Sequence, residues 1–326
     1  MIEETISKLV TNNKGILAAD ESINTIGKRF SSINVENTEA NRRDYRDIIL
    51  SSPLYEKYIS GVILHEETLY QKNIDDKLII QHLIDKDIVV GIKVDEGLEI
   101  LSDYGEEQIT KGLDTLEERC HKYYKQGARF TKWRCVFRID EDKDYPSLLL
   151  INKNVQTLVK YAMISLHCNM VPIIEPEILM NGNFSMDKYS QVTKKVLKSL
   201  FSYLRKCEIN LKHILLKVNM IIPSSDSDEL SNLNKVTELT YNTLKESVDP
   251  TVPAIVFLSG GQSEEDAQLN LESLCNKYQN NPWMLSFSYG RALQSTALRV
   301  WQGDNSKKDD VQNVFLEKAR KLALSL

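Results

Sequence analysis

The sequence predicts a single (β/α)8 barrel, an α/β fold, and three observations favour it. Eight short runs rich in β-branched residues recur along the 326-residue chain, at residues 16–18, 61–64, 89–94, 130–137, 171–174, 214–217, 255–258 and 284–287. The segments between them carry apolar residues at spacings of three and four, which is typical of amphipathic helices. Strand followed by helix, eight times, requires parallel strands joined by crossover helices, and such units can close into a barrel.

The alternative architecture is a doubly wound open sheet. No GxGxxG motif follows the first predicted strand, so the phosphate-binding turn of that fold is missing. No segment of linker composition divides the chain. We therefore expect residues 1–326 to form one barrel domain.

Composition limits the function classes. The chain is 42% hydrophobic and 27% charged, as expected for a globular protein. Its net charge of -5 and the lack of a polybasic block argue against nucleic acid or a membrane surface as the main partner. No signal-peptide layout, membrane-spanning run or CxxC pair is found. We expect a cytoplasmic protein with reduced thiols and no membrane insertion.

Charged side chains stand where buried parallel strands are normally apolar. They fall at the carboxyl ends of five predicted strands, as Asp20 and Glu21, Lys93, Lys132 and Arg134, Glu175 and Glu177, and Lys217. The carboxyl ends of barrel strands meet at one mouth, where the active sites of this architecture lie. Because burying an unpaired charge is costly, we expect these groups to form a functional cluster.

Two lysines of this cluster are expected to be neighbours. Lys132 lies on the fourth predicted strand and Lys217 on the sixth, and alternate strands contribute to a common layer of side chains. Period-two alternation puts Arg134 on the same strand face as Lys132. We expect the two like charges to lower the pKa of an ammonium group, which would free an amine to attack a carbonyl.

Two glycine turns have the composition of phosphate sites. Ser259-Gly260-Gly261 follows the seventh predicted strand, and Gly290-Arg291 follows the eighth. Glycines let backbone N–H groups approach an oxyanion closely, and a helix start adds a favourable dipole. The loops after strands seven and eight are also the usual phosphate position of this barrel. A small phosphorylated substrate is therefore predicted.

The histidines do not indicate a metal centre. The segment from His65 to Leu69 begins like a zinc-protease helix, but Leu69 stands where the second histidine belongs. The five histidines of the chain have no ligand spacing. We expect no metal and no cofactor, so that carbonyl activation is left to a lysine.

Many motifs of the chain occur together, and in the same order, in one known family. They lie at residues 15–22, 36–39, 41–43, 61–64, 67–72, 132–135, 171–179, 258–265 and 287–294. Through them the chain resembles class I (Schiff-base) fructose-bisphosphate aldolases along nearly its whole length. The resemblance implies the barrel fold already expected, and the reversible cleavage of fructose 1,6-bisphosphate into dihydroxyacetone phosphate and glyceraldehyde 3-phosphate.

The resemblance also implies catalytic roles for individual residues. Lys217 would form the Schiff base with the C2 carbonyl of the sugar. Asp20 would take the proton from the C4 hydroxyl during carbon–carbon cleavage. Glu175 would shuttle protons while the imine forms, with help from Lys132.

Further residues would orient these groups or bind the two phosphates. Glu177 and Lys93 would orient the catalytic groups and tune their charge. The implied phosphate ligands are Ser259, Gly260, Gly261, Gly290 and Arg291 for the C1 phosphate, and Ser22, Lys28 and Arg29 for the other phosphate.

Two departures from the family pattern stand out. Val218 replaces the proline that usually follows the Schiff-base lysine, and little effect is expected because strand alternation points Val218 away from the mouth. Family members usually carry a longer C-terminal tail that ends in a tyrosine and assists proton transfer at C3, whereas this sequence ends at Leu326. Either the tail lies outside this sequence, or the enzyme works without it and turns over slowly.

Two alternative functions are weighed against this one. Another Schiff-base barrel enzyme, such as a transaldolase, would share the lysine, but paired phosphate sites argue against it. A scaffold that binds cytoskeletal or adhesin tails is the other, and the joint presence of Asp20, Lys132, Glu175 and Lys217 argues against it as the sole role. The resemblance further implies a homotetramer, and it leaves open the preference between fructose 1,6-bisphosphate and fructose 1-phosphate.

Overall fold

Eight parallel strands form the centre of the molecule. The computed structural model describes residues 1–101 and 105–326. The barrel strands β1 to β8 are Gly15–Ala19, Ile59–Leu64, Val89–Lys93, Phe130–Arg138, Val171–Leu179, Leu215–Val218, Ala254–Phe257 and Met284–Tyr289. The sheet closes where β8 pairs with β1. All eight predicted strands are present, and the predicted (β/α)8 barrel is confirmed.

Helices surround the barrel. Within the described residues the helices α1 to α12 are Ile2–Leu9, Ile23–Ser31, Glu39–Leu50, Glu66–Tyr70, Gln81–Asp85, Leu116–Gln126, Leu148–His167, Met186–Lys206, Leu233–Ser247, Glu264–Lys277, Arg291–Trp301 and Lys308–Leu324. Across residues 1–101 and 105–326, every helix is too short or too polar to pass through a bilayer. A two-stranded hairpin of Leu98–Ile100 and Gln108–Thr110, which the sequence did not predict, follows β3.

Apolar side chains fill the lower half of the barrel. Phe130 lies inside it, and a Cβ atom on Gly91 would come within 2.2 Å of the Phe130 ring, so glycine is required there. Helix α1 covers the amino ends of the strands, and its Ile6 and Leu9 join the same apolar cluster. The interior is therefore closed at this end, and polar side chains can meet only at the carboxyl ends of the strands.

Strand register places the two lysines in one interior layer. From Lys132 of β4, paired residues lead across β5 to Leu215 of β6, and Lys217 stands two residues further on. In the same way, paired residues lead from Lys217 across β7 to Ser286 of β8, and Ser288 stands two residues further on. This regular offset is the stagger of a closed barrel. The layer consists of Ile63, Lys132, Lys217 and Ser288.

Candidate active site

A continuous chain of charged contacts crosses the mouth of the barrel. Asp20 Oδ2 lies 2.7 Å from Lys132 Nζ, which lies 3.3 Å from Glu175 Oε2. The other oxygen of the same carboxylate, Oε1, lies 3.2 Å from Lys217 Nζ. The two lysines are therefore neighbours, as expected, and each contacts one oxygen of Glu175. Lys132, Glu175 and Lys217 are only 5%, 4% and 4% exposed.

The two carboxylates in this chain of charged contacts, Asp20 and Glu175, stay ionised. Burial favours the neutral form of Asp20, but Lys132 and Lys217 outweigh burial and bring the pKa of Asp20 well below its ordinary value. Burial opposes ionisation of Glu175 in the same way, yet Lys217 and Lys132 lower its pKa. Charge–charge attraction in a dry site is strong enough to reverse a desolvation cost of this kind.

The expectation that like charges lower an ammonium pKa is wrong for Lys132. Burial does disfavour its charged form, but Asp20 and Glu175 raise the pKa of Lys132 above its ordinary value. Glu175 lies between the two lysines and Asp20 lies beside Lys132, so that Lys132 Nζ contacts two carboxylates. Lys132 is thus held as a cation.

The two predicted orienting residues, Lys93 and Glu177, lie beside this chain of charged contacts and not within it. Lys93 contacts Asp95, with 2.7 Å between Nζ and Oδ1. Glu177 accepts a hydrogen bond from Arg134 Nε. Burial opposes the charge of Arg134, but Glu177 raises the pKa of this guanidinium. Arg134 shares its strand face with Lys132, as alternation predicted.

A cavity of about 490 Å³ opens above the chain of charged contacts. Six of the predicted phosphate ligands line it, namely Lys28, Arg29, Ser259, Gly260, Gly290 and Arg291. Gly261 lies behind the turn, where φ is +78° and a Cβ atom would collide with Met180. Its role is therefore to let the turn form. Ser22 caps α2 and lines a second, adjacent hollow together with Lys93.

Cations surround the two glycine turns. Cβ atoms built on Gly290 and Gly260 would lie 3.8 Å from guanidinium nitrogens of Arg29 and Arg291, respectively. Burial and the nearby Arg29 both lower the pKa of Arg291. Among residues 1–101 and 105–326, neither Arg291 nor Lys28 has an ion-pair partner. Positive charge and open backbone at one place suit a bound phosphate.

A buried ionic network, which the sequence did not reveal, supports this side of the cavity. Glu21 does not join the chain of charged contacts but accepts hydrogen bonds from Arg29 and from Arg46 of α3, the latter at 2.5 Å. Gln294 Nε2 donates to Ala18 O at 2.9 Å and lies 3.2 Å from Glu21 Oε1. The network therefore ties the end of β1 to α2, α3 and α11.

Replacing Arg46 by methionine should destabilise the protein by about 3 kcal/mol, because removing one partner leaves the Glu21 carboxylate buried and undercompensated. The free energy of unfolding in urea measures this. Burial raises the pKa of Glu21, but Arg46 and Arg29 bring it below its ordinary value. The stability that this carboxylate gives is present above the pKa of the unfolded chain and is lost as the pH falls, so the difference between the two proteins should shrink at acid pH.

Arg43→Met is the matched control, because Arg43 lies on the same helix and, within the described residues, its ion pair is with the adjacent, partly exposed Asp44. Ion pairs that solvent reaches contribute little, and a change below about 1 kcal/mol is expected. Equal destabilisation by both substitutions would contradict a specific role for the network.

Ser288 is a further residue that sequence reasoning missed. It lines the main cavity, is 1% exposed, and its hydroxyl is without a hydrogen-bond partner in the described part of the chain. Strand parity was the available signal, since β4, β6 and β8 supply one layer. Nowhere in the described ranges do three His, Cys, Asp or Glu side chains come together in a way that could hold a metal ion.

A parallel barrel that presents a buried lysine against a carboxylate, beside a cationic glycine turn, has the layout of Schiff-base enzymes that act on phosphorylated carbonyl compounds. The family model described as "Fructose-bisphosphate aldolase class-I" matches residues 1–325. The chain belongs to this family. It is an aldehyde-lyase that reversibly cleaves fructose 1,6-bisphosphate to dihydroxyacetone phosphate and glyceraldehyde 3-phosphate through a lysine Schiff base.

Individual relatives agree with the family assignment. Fructose-bisphosphate aldolase 1 of Toxoplasma gondii is 47% identical over 319 residues, which is 98% of this chain and 88% of that protein. Fructose-bisphosphate aldolase of Dictyostelium discoideum is 45% identical over 317 residues, 97% of this chain and 88% of that one. A solved Plasmodium falciparum aldolase, in complex with TRAP and a small-molecule inhibitor, superposes with a TM-score of 0.97 at 45% identity and covers 99% of this chain and 93% of that chain.

Proposed function

We propose that Lys217 is the Schiff-base lysine of this aldolase and that Asp20, Lys132 and Glu175 move protons around it. One observation carries this assignment: the unbroken chain from Asp20 through Lys132 and Glu175 to Lys217 at the floor of the cavity. Among the described residues the other lysines on the cavity wall are Lys132, which two carboxylates hold as a cation, and Lys28, which has no ion-pair partner there.

Imine formation follows from the position of Glu175. The unprotonated amine of Lys217 attacks C2 of the open-chain sugar, and the carbonyl oxygen takes up a proton to give a carbinolamine. Glu175 lies 3.2 Å from the Lys217 amine, so it can accept the proton that nitrogen loses and return it to the departing hydroxyl. Water leaves and an iminium remains. Lys132, held as a cation, keeps Glu175 oriented between the two amines.

Cleavage follows from the position of Asp20. Its ionised carboxylate takes the proton of the C4 hydroxyl while the C3–C4 bond breaks, and the electron pair of that bond moves to the iminium nitrogen. Glyceraldehyde 3-phosphate forms, and an enamine stays on Lys217. Protonation of the enamine at C3 and hydrolysis of the resulting iminium release dihydroxyacetone phosphate.

The two phosphates of the substrate are bound at two places, the glycine turns after β7 and β8 and the residues that follow β1. Ser259, Gly260, Gly290 and Arg291 bind the C1 phosphate, with Gly261 shaping the turn, while Ser22, Lys28 and Arg29 serve the other end. Ser288 contacts the C1–C2 part of the sugar, because it lies between Lys217 and the Gly290 turn. Glu177 and Lys93 orient their neighbours Arg134 and Asp95.

Borohydride trapping tests the assignment. The protein is incubated with dihydroxyacetone phosphate and reduced, and the stable adduct is located by peptide mass spectrometry. We expect the adduct on Lys217, with the same yield after EDTA treatment, because an iminium requires no metal.

The competing outcomes are distinct. An adduct on Lys132 or Lys93 would move the Schiff base to another strand. The lack of any adduct, with the substrate nevertheless bound, would leave the scaffold function as the better account of the fold.

The assembly and partners of the protein are a separate proposal. We infer a homotetramer in the cytoplasm with residues 1–326 acting as one catalytic domain, which is supported by the family and by relatives named as cytosolic isozymes from Arabidopsis thaliana. A cytoskeletal or adhesin tail is a candidate protein partner, and the Plasmodium falciparum complex with TRAP supports this. Light scattering and binding of a tail peptide test the two parts.

A further inference from the structure

His65 has no role in the mechanism above, although it lies at the carboxyl end of a barrel strand. It follows β2 directly and lines the second hollow, which has a volume of about 520 Å³. Ser22 from the end of β1 and Lys93 from the end of β3 line the same hollow. Polar residues at or shortly after the carboxyl ends of three successive strands thus line a common space.

The hydrogen bonding of His65 fixes which nitrogen carries its proton. Nδ1 lies 3.4 Å from the backbone N–H of Glu67 and accepts a hydrogen bond from it, so that His65 caps α4. An imidazole that accepts at Nδ1 carries its proton on Nε2. That N–H has no partner anywhere in residues 1–101 and 105–326, and it is free to donate to a ligand.

The other cations of the hollow are already paired. Lys93 contacts Asp95 at 2.7 Å, and Arg119 lies 3.6 Å from Glu96. Burial, with Lys93 and Arg46, lowers the pKa of His65, while Glu67 and Asp20 act in the opposite direction. His65 is therefore a neutral donor among balanced charges.

The carbon chain of the substrate, followed from C2 to C6, extends toward this hollow. On the proposed mechanism, C2 is bonded to Lys217 with the C1 phosphate at the glycine turns, and the C4 hydroxyl lies at Asp20. Carbons five and six must continue past Asp20, away from β7 and β8 and toward the rim of β1 to β3. The second hollow is the space beyond Asp20 in that direction.

We propose that His65 is a specificity-determining residue whose Nε2–H binds the phosphate on C6, alongside Ser22. This inference rests on the proposed function, since it takes its direction from Lys217 and Asp20. A neutral N–H donor adds affinity for the second phosphate without taking part in the chemistry at C2 to C4. The bisphosphate should therefore gain from His65, and a substrate with no C6 phosphate should not.

A pair of substitutions separates the two functions of the His65 side chain, which are to cap α4 through Nδ1 and to donate a hydrogen bond from Nε2. His65→Asn keeps an acceptor at the cap, because asparagine is among the best N-cap residues, but removes the Nε2–H. His65→Gln loses the cap geometry but puts an amide N–H at about the distance of Nε2 from the backbone. His65→Ser, another capping residue without the donor, serves as the second variant if the asparagine variant does not fold.

The readout is kcat/KM for fructose 1,6-bisphosphate and for fructose 1-phosphate. Loss of one hydrogen bond to a charged group should lower the value for the bisphosphate about tenfold or more in His65→Asn and His65→Ser. The value for fructose 1-phosphate and the trapping of dihydroxyacetone phosphate on Lys217 should stay unchanged, and His65→Gln should recover most of the bisphosphate preference.

Two results would overturn the inference: an equal loss on both substrates, which a purely structural role predicts, or no loss on either. Borohydride trapping shows whether only the role of His65 is wrong or the proposed mechanism is wrong as well. If the adduct forms on Lys217 while the substrate preference is unchanged, only the role of His65 is wrong. If no adduct forms on Lys217, the proposed mechanism is wrong as well.

Discussion

Lys217→Met should abolish cleavage of fructose 1,6-bisphosphate, with kcat reduced by roughly four orders of magnitude or more, the scale seen when an enzyme loses its nucleophile. Methionine has nearly the length of lysine and suits a position that is 4% exposed. The fold should therefore persist, with Glu175 still paired to Lys132. The coupled assay for triose phosphates measures the loss, and circular dichroism checks the fold.

Lys212→Met is the matched control for this experiment. Lys212 is exposed and precedes β6 by three residues, so it lies at the opposite end of the strand from the mouth. Its replacement should leave kcat and KM unchanged. Wild-type cleavage by the Lys217→Met protein would show that another amine carries the reaction.

Asp20→Asn should reduce kcat by about three orders of magnitude, within the range that general acid–base catalysis contributes. The amide keeps the shape of the side chain and a contact to Lys132 but cannot take the C4 proton. Imine formation uses Lys217 and Glu175, so borohydride should still trap dihydroxyacetone phosphate on Lys217. Loss of cleavage with retention of trapping is the result that assigns Asp20 to carbon–carbon cleavage.

Asp87→Asn is the corresponding control, since Asp87 is exposed near the amino ends of the strands, where it contacts Lys8. It should leave both cleavage and trapping unchanged. If Asp20→Asn abolishes trapping and cleavage together, Asp20 acts through the Lys132 and Glu175 contacts and is not the base at C4.

Much of the fold was predictable because buried parallel strands appear in a sequence as short apolar runs. The fifth strand shows where this signal weakens. It was predicted to end at residue 174, because Glu175 and Glu177 interrupt the apolar run. The strand in fact continues to Leu179, and both glutamates face inward to basic partners. The hairpin of Leu98–Ile100 was missed because it is short and partly exposed, so no apolar run marks it.

The site was predictable where its residues share a strand, and less so where they meet across the fold. Alternation correctly put Lys132 and Arg134 on one face. The two like charges were expected to lower the pKa of an ammonium group, but the pKa of Lys132 is raised, because the carboxylates that surround it come from other strands. The pairing of Glu21 with Arg46 joins residues 25 positions apart in different elements, and no local pattern indicates it.

Helix α1, which packs Ile6 and Leu9 against the amino ends of the strands, also bears on the order of events during turnover. Because apolar side chains fill the amino end of the barrel, substrate and both products enter and leave at the carboxyl ends of the strands. On the proposed mechanism the ketose half is still covalently attached to Lys217 when the carbon–carbon bond breaks. The aldehyde half must therefore leave first, and water reaches the remaining imine from the same end of the barrel, through the space that the aldehyde occupied.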